Sequence, residues 1–234
     1  MRASERDAVT SVAVGPSTKE QLVVTAERLF AEHGLDGISL RQIAVESGNA
    51  NNSAVQYHFG SKDNLIQAIF EYRVPQLARR RRLLAEQRPS DDLRSCVESY
   101  LLPMVEEAEH EDSHYMTFLA KLNSAGLSLR PFDRLPDAMK EPTYEFYRAM
   151  AAMLPHVPAS LLTPRVDLAL SVCMHACADR EQSRRHGSRV LPYALHVSGL
   201  FDGIVGLLAA PVSNETLAAL TEVEPELRPR LALP

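Results

Sequence analysis

Short helical patterns separated by single glycines occupy residues 17–70 and constrain the fold of this chain more than any other feature. Ser17 and Glu20 have the spacing of a capping box, in which a hydroxyl and a carboxylate satisfy the free amides at a helix start. Apolar residues then recur at helical spacing up to Gly34, and glycine favours a helix end because it accepts a left-handed backbone conformation. The pattern predicts a first helix over residues 18–33.

Two much shorter helices are predicted next. A second capping-box pattern, from Ser39 to Gln42, starts a helix of barely two turns that Gly48 ends. Residues 51–53 have the composition to cap a third short helix, which Gly60 breaks. Two short helices joined by a tight glycine turn are the geometry of a helix-turn-helix, whose second helix fits the major groove of DNA.

A fourth helix is predicted to begin at Ser61, with a kink at Pro75 because a proline inside a helix removes one backbone hydrogen bond. Pro89 marks a clearer break and a domain boundary. Four segments follow from these breaks: a flexible arm at 1–16, a helix-turn-helix domain with its linking helix at 17–88, a helical regulatory and dimerisation domain at 89–222, and a loose tail at 223–234.

The remainder of the chain also has helical patterns, and no stretch shows the sustained alternation typical of a β-strand. The predicted class is therefore all-α, with a small three-helix N-terminal head and a larger C-terminal helical domain. The helices expected in that larger domain span 91–109, 113–126, 134–154, 163–180, 190–210 and 213–222.

Charge and composition indicate the cellular context. The net charge is −5, but residues 19–88 contain ten Lys and Arg against eight Asp and Glu, whereas residues 89–234 contain 13 against 20. The positive excess of the N-terminal third suits a DNA-binding role. Three cysteines are too few for a disulfide framework and fit a reducing cytoplasm. No signal-peptide pattern is present, and the apolar segment 193–210 contains His196 and Asp202, so we expect a soluble protein without membrane contact.

The exposed face predicted for the third helix consists of hydrogen-bonding side chains, and none of them is acidic. Asn and Gln pair with adenine edges, and Ser reads either edge of a base. Composition alone fits a DNA-reading surface and an ordinary polar helix face about equally well. The residues of this face are Asn51, Asn52, Ser53, Gln56, Tyr57 and His58.

The order of residues across the N-terminal third favours the DNA-reading interpretation. Three separated elements occur in sequence: Ala26-x-x-Leu29-Phe30-x-x-x-Gly34, Ser39-Leu40-Arg41-Gln42-Ile43-Ala44, and Tyr57-His58-Phe59-Gly60-Ser61-Lys62-Asp63-x-Leu65. In this order they resemble the tetracycline-repressor (TetR) family over residues 18–75. The resemblance implies a homodimeric regulator that represses transcription and leaves a palindromic DNA operator when a small molecule binds.

The resemblance also implies which residues meet double-stranded DNA. Ser39 and Arg41 would approach the phosphate backbone at the start of the second helix, and Lys62 would meet a phosphate at the start of the fourth. His58 would lie beside the backbone. The groove-facing set would be Asn51, Asn52, Ser53, Gln56 and Tyr57.

A zinc hydrolase is the alternative function. His110 and His114 match the H-E-x-x-H pattern of zinc proteases, which needs both histidines on one helix face and the glutamate as general base. Ser113, however, has the features of a helix N-cap, which would put the two histidines on opposite sides of a break. Cys173 and Cys177 are interpreted as buried core residues. We therefore expect no catalytic residue, metal or cofactor.

Aromatic and methionine residues in the C-terminal domain are candidates for an effector pocket. Apolar pockets with a few polar groups bind small ligands, and ordinary core packing explains the same residues about as well. The candidate pocket residues are Tyr100, Met104, Tyr115, Met116, Phe118, Tyr144 and Tyr147.

Three glycines at helical spacing near the C-terminus are candidates for a dimer interface. A smooth glycine strip lets another helix approach closely, either from a second subunit or from the same one. The preceding predicted helix is apolar on most sides, as burial on two fronts requires. Together they give the candidate interface residues Val166, Leu170, Cys173, Gly199, Gly203 and Gly206. The basic run 79–82 is interpreted as a solvated helix face.

Overall fold

The structure of the chain is a computed structural model that describes residues 17–48, 54–87, 92–127 and 129–222. These residues form eleven α-helices and contain no β-strand, which confirms the all-α class. The predicted arm at 1–16, the tail at 223–234 and the boundary at Pro89 lie outside the described residues. The helices are α1 (Thr18–His33), α2 (Leu40–Glu46), α3 (Ala54–His58), α4 (Lys62–Gln87), α5 (Leu93–Glu107), α6 (Tyr115–Ser124), α7 (Leu129–Asp133), α8 (Asp137–Met153), α9 (Ala159–Arg185), α10 (Tyr193–Ala209) and α11 (Asn214–Glu222).

The N-terminal head consists of α1, α2, α3 and the first turns of α4 around a small apolar core. Both predicted capping boxes form, with Ser17 at the start of α1 and Ser39 at the start of α2. After α2, Gly48 has a φ of +72°, a left-handed conformation that most other residues adopt only at a cost. The apolar faces of the four helices meet at buried side chains that include Leu22, Phe30, Ile43, Val55 and Leu65.

Helix α4 belongs to both halves of the molecule. Its 26 residues run as one helix through Pro75. It packs against α1 of the head, and it also packs against α5, α7 and α8 of the larger domain. α4 is therefore the direct structural link between the head and the larger domain.

Two helices of the larger domain differ from the sequence prediction. α9 extends over 27 residues, beyond the predicted span 163–180, because Pro164 lies in its second turn and costs at most one backbone hydrogen bond there. The helix α7 was not predicted, since its five residues are too few to show a repeat of apolar positions.

A buried carboxylate replaces the missing cap of α6. The N-cap residue of α6 is His114, not Ser113 as predicted, and its side chain makes no capping hydrogen bond. Instead Glu181 of α9 accepts hydrogen bonds from the backbone N–H groups of Met116 and Thr117, each with an N–O distance of 3.2 Å. Burial raises the pKa of Glu181. This long-range cap fixes the start of α6 against α9.

Glu181→Ala is expected to lower the free energy of unfolding by about 2–4 kcal/mol, because two buried N–H groups lose their acceptor. Urea denaturation of the variant and the parent protein at neutral pH measures the difference. The matched control is Asp92→Ala, which removes the cap of α5 at the protein surface and should cost distinctly less. Equal losses in the two variants would contradict a special role for the buried cap.

Helix α9 is long and apolar enough to cross a membrane by length and composition, and α10 passes the same test only when joined to α11 across a 50° bend. In the structure α9 packs against α5, α6, α8 and α10. It also carries Arg180, whose guanidinium pairs with Glu109 and is 6% exposed. These contacts are those of a core helix in a globular domain.

Candidate nucleic-acid interface and effector cavity

Helix α2 presents a basic side chain beside a well-formed helix start. Ser39 Oγ accepts from the backbone N–H of Gln42 at 3.2 Å, and Gln42 Oε1 accepts from the backbone N–H of Ser39 at 2.8 Å. The Ser39 hydroxyl also lies 2.8 Å from Gln42 Oε1, so its hydrogen is used within the capping box. Arg41, two residues later, is exposed and is the α2 side chain available to a phosphate.

Helix α3 is anchored on one side and open on the other. Val55 and Phe59 are buried in the head, whereas Gln56, Tyr57 and His58 are exposed. Tyr57 is 84% exposed. A large aromatic side chain is rarely so exposed unless it binds a partner. The α3 face therefore projects from the head as a DNA-reading helix must.

The polar groups of α3 are partly committed to the protein itself. Gln56 Nε2 donates to the carbonyl oxygen of Gly60 at 3.0 Å, which leaves the amide oxygen as its free acceptor. The rings of Tyr57 and His58 meet edge to face with centroids 5.2 Å apart. Asn51, Asn52 and Ser53 lie outside the described residues, so their contribution to this face stays a prediction.

Lys62 has a structural contact that sequence reasoning missed. Its Nζ donates to the carbonyl oxygen of Leu35 at 2.8 Å, and its side chain is half-buried. An ammonium group has three donors, so two remain for a phosphate. Lys62 thus ties the start of α4 to the turn between α1 and α2, at the edge of the α2–α3 surface.

The basic run 79–82 does not act as one surface. Arg80 makes two hydrogen bonds to Glu106 of α5, with N–O distances of 2.8 and 2.7 Å. Arg81 donates from Nε to the carbonyl oxygen of Tyr100 at 2.9 Å. These two arginines are engaged with the larger domain, and only Arg79 and Arg82 of the run are exposed as predicted.

The H-E-x-x-H sequence does not form a zinc-protease site. His110 lies exposed in the turn after α5, whereas His114 is buried at the start of α6, so the two imidazoles do not share a helix face. Within the four described ranges no group of three His, Cys, Asp or Glu side chains is placed to hold a metal ion. Cys173 and Cys177 are fully buried, and the hydrogen bond between them together with burial raises the pKa of the Cys177 thiol.

A buried network of charges joins the head to the larger domain. Arg73 of α4 donates to both carboxylate oxygens of Glu27 in α1 at 2.7 Å, and to Glu107 Oε1 in α5 at 2.8 Å. Glu27 is 1% exposed and also accepts from the backbone N–H of His114 at 3.2 Å. Sequence reasoning missed this network. Glu27 stands on the apolar face of α1, four residues after Val23, and a carboxylate in that position indicates a buried charge that needs a partner.

A cavity of about 200 Å³ lies between α4, α5, α6, α7, α8 and α9. Four of the seven candidate pocket residues line it, namely Tyr100, Met104, Tyr115 and Tyr147. The other three do not: Met116 and Phe118 are fully buried in the core, and Tyr144 is half-buried outside the cavity. Helical spacing placed all seven in one domain, but only the packing of six helices decided which of them face the empty volume.

The candidate dimer residues divide into two groups. Val166 and Cys173 are fully buried inside the subunit and Leu170 lines the cavity, so these three do not lie on an outer surface. Leu168 and Val172, on the opposite side of α9, are 55% and 40% exposed and form its outward apolar face. The position of a dimer interface on α9 stays a prediction, and the side of α9 that is exposed in the subunit is the one with Leu168 and Val172.

The glycines of α10 face outward, as the dimer prediction requires. Gly199, Gly203 and Gly206 are exposed, and a Cβ atom built on any of them meets nothing within 4 Å. Leu195 precedes Gly199 by one helical turn on the same face and is 62% exposed. This smooth outer face, defined here as the α10 strip, has no packing partner within the described subunit.

Comparison with known proteins identifies the head. The family model for bacterial regulatory proteins of the tetR family matches residues 22–69. The HTH-type transcriptional repressor AcnR of Corynebacterium glutamicum is 36% identical over 62 residues, which are 25% of this chain and 32% of that repressor. The sequence match therefore spans about a third of the length of that relative.

Solved structures extend the similarity to the whole fold. A transcriptional regulator from Rhodococcus sp. Rha1 is 21% identical with a TM-score of 0.53, over 82% of this chain and 96% of that one. AmtR of Mycobacterium smegmatis is 17% identical with a TM-score of 0.50, over 90% and 97% of the two chains. Those two similarities concern the fold alone. The sequence match covers the head, and the proteins that it matches are transcriptional regulators, not hydrolases. The sequence similarity to bacterial regulatory proteins of the tetR family is therefore shown for residues 22–69, in the N-terminal helix-turn-helix head.

Proposed function

We propose that this protein is a cytoplasmic, homodimeric transcriptional repressor that binds a palindromic operator and leaves it when a small molecule binds. The observation that carries the proposal is the exposed face of α3, which projects from an anchored helix-turn-helix in a domain matched to tetR-family regulators. The similarity of that domain to the repressor AcnR supports repression over activation.

The interface has groups suited to both kinds of DNA contact. In the proposed complex, the exposed Gln56 and Tyr57 would meet base edges in the major groove, and Arg41 and Lys62 would contact phosphates. Two heads related by a two-fold axis would read half-sites spaced by roughly 34–36 Å or a multiple of that distance. The operator is therefore expected to be a pseudo-palindrome.

The outer faces of α9 and α10 support dimerisation. The α10 strip of Leu195 and three glycines is exposed, Leu168 and Val172 of α9 are exposed as well, and α9 packs against α10. Exposed apolar side chains next to a smooth helix face are typical of a surface that a second helix pair covers. A symmetric interface of this kind uses the same residues from both subunits.

The cavity and α4 support control by an effector. Phe70, Val74 and Leu77 of α4 line the cavity, and the next residues toward the head include Ile66 and Leu65 of the head core. An effector that binds better to the DNA-free arrangement of α4 lowers operator affinity. The coupling is reciprocal and typically about 1–3 kcal/mol in such systems.

DNA-binding variants test the proposal. Tyr57→Ala is expected to weaken operator binding about tenfold, because a base-edge contact is lost, and to relax preference at one base pair. Arg41→Ala is expected to weaken binding to all sequences and to reduce the slope of affinity against salt by about one ion. Fluorescence anisotropy on an operator selected from random DNA measures both.

Arg148→Ala, an exposed arginine on α8, is the matched control and should leave DNA affinity unchanged. Gln56→Ala adds a second readout, since loss of its amide should alter base preference more than overall affinity. If selection returns no preferred sequence, or if Tyr57→Ala leaves both affinity and base preference as in the parent, the α3 surface does not read DNA.

A further inference from the structure

The wall of the cavity is largely apolar, so most of the surface of a molecule that fills it should be apolar as well. Side chains from six helices supply this surface, among them Phe70, Leu77, Met104, Leu119 and Met174. An engineered cavity of about 150 Å³ with such a lining stays dry and binds benzene. At about 200 Å³, this cavity has room for a single ring or branched chain with a short extension.

Tyr115 supplies a polar group without a partner. The residue lines the cavity and is 1% exposed, and its hydroxyl has no hydrogen-bond partner among the described residues. Burial raises the pKa of the Tyr115 phenol, which therefore keeps its proton and remains a donor. A ligand oxygen would satisfy it.

Arg81 supplies a positive charge at the same cavity. Its guanidinium stacks on the ring of Tyr100, with Cζ 3.9 Å from the ring centroid, and only its Nε makes a hydrogen bond. Arg73 and Arg80 on the same helix each pair with a carboxylate, but in the described part of the chain no carboxylate lies within ion-pair distance of Arg81. Its remaining N–H donors have the fork geometry that matches a carboxylate.

The two donors line the same cavity. Burial, and after it the charge of Glu27, raises the pKa of the Tyr115 phenol, whereas the charges of Arg73 and Arg81 oppose that rise. The acidic residue of the lining, Asp167 of α9, accepts the hydroxyl hydrogen of Tyr147. Asp167 therefore marks a second polar point, at the Tyr147 side of the cavity, where a cationic ligand would be drawn instead.

We propose that the effector is a small apolar monocarboxylate whose carboxylate binds the Arg81 guanidinium and the Tyr115 hydroxyl while its ring or branched chain fills the apolar wall. This assignment rests on the proposed function, because only a DNA-binding regulator makes the bound molecule an effector. Binding of the molecule to the cavity does not itself require DNA. The carboxylate accepts charge-assisted hydrogen bonds from the guanidinium and the hydroxyl, and the apolar body gains from burial.

Three probes on one frame test the assignment: 3-phenylpropanoate, 3-phenylpropanamide and 3-phenylpropylamine. Isothermal titration of the full-length protein is expected to give the acid at least tenfold tighter binding than the amide, with the amine weakest. Arg81→Gln should remove most of the preference for acid over amide, and Arg81→Lys should retain it. Tyr115→Phe should weaken the acid and the amide alike, by about threefold to tenfold.

Arg82→Gln and Tyr72→Phe are the matched controls, since neither residue lines the cavity. A melting curve for each variant separates loss of binding from loss of fold. Tightest binding of the amine would overturn the proposal in favour of Asp167, and so would unchanged acid preference in Arg81→Gln or binding of none of the three probes.

Operator affinity measured on the same samples without probe keeps the two proposals apart. Acid binding without any operator leaves the ligand class standing and removes the repressor. Operator binding together with a preference for the amine leaves the repressor proposal standing and removes the proposed ligand class.

Discussion

Arg73→Met is expected to lower the free energy of unfolding by about 3–5 kcal/mol, because it leaves two buried carboxylates without their shared cation. Glu27 and Glu107 are 1% and 11% exposed and both bind the same guanidinium. Burial already raises the pKa of Glu27, so the charge of Glu27 depends on Arg73 for its stability. Urea denaturation at pH 7.5, followed by circular dichroism, measures the loss.

Arg80→Met is the matched control for this prediction. Arg80 also pairs with a glutamate of α5, but both side chains are partly exposed, and such a pair is worth about 0–1 kcal/mol. The double variant Glu27→Gln with Arg73→Met should recover part of the loss, since one orphaned charge is removed. A stability for Arg73→Met within 1 kcal/mol of the parent, as for the control, would show that the network contributes little.

The network also predicts a functional effect. It connects α1 of the head, α4 and α5, so it holds the head in one position relative to the larger domain. At temperatures where the Arg73→Met protein remains folded, the effector should therefore change operator affinity less than in the parent. Anisotropy titrations with and without effector provide this comparison.

Leu195→Asp is expected to convert the proposed dimer to a monomer and to weaken operator binding at least 100-fold, roughly 2.7 kcal/mol or more by the equilibrium relation. In a symmetric interface each subunit brings the new charge, so two carboxylates would be buried close together. Leu195 is 62% exposed within the subunit, so the variant should fold normally. Analytical ultracentrifugation gives the mass, and anisotropy gives the DNA affinity.

Leu83→Asp serves as its control, because Leu83 is 44% exposed and belongs to α4, not to the α10 strip. That variant should remain a dimer. A Leu195→Asp protein that sediments as a dimer and binds the operator like the parent would place the interface elsewhere.

The sequence alone determined the helical head, because the signals there are local. The predicted span 18–33 agrees with α1, and both capping boxes form, since each joins residues only three positions apart. The exposed trio of Gln56, Tyr57 and His58 was likewise predicted, because Val55 and Phe59 fix which way a one-turn helix faces.

The sequence was less informative for the larger domain. An apolar residue on a helix that is apolar on most sides gives no signal of which neighbour it meets. Val166 and Cys173 therefore appeared equivalent to Leu168 and Val172, and the structure buries the first pair and exposes the second. The same ambiguity mixed core residues such as Phe118 with cavity residues such as Tyr115.

Only the tertiary structure decided which charged groups act together. Glu27 and Arg73 are 46 residues apart, and Thr117 and Glu181 are 64 apart, yet each pair forms a buried contact. In the sequence, Arg81 is one of four consecutive arginines that local patterns do not distinguish. In the folded chain, Arg80 pairs with Glu106, whereas Arg81 stacks on Tyr100. Local spacing fixes a helix and its faces, whereas the partner of a buried charge depends on how helices distant in sequence pack, and that geometry is not written in any short segment.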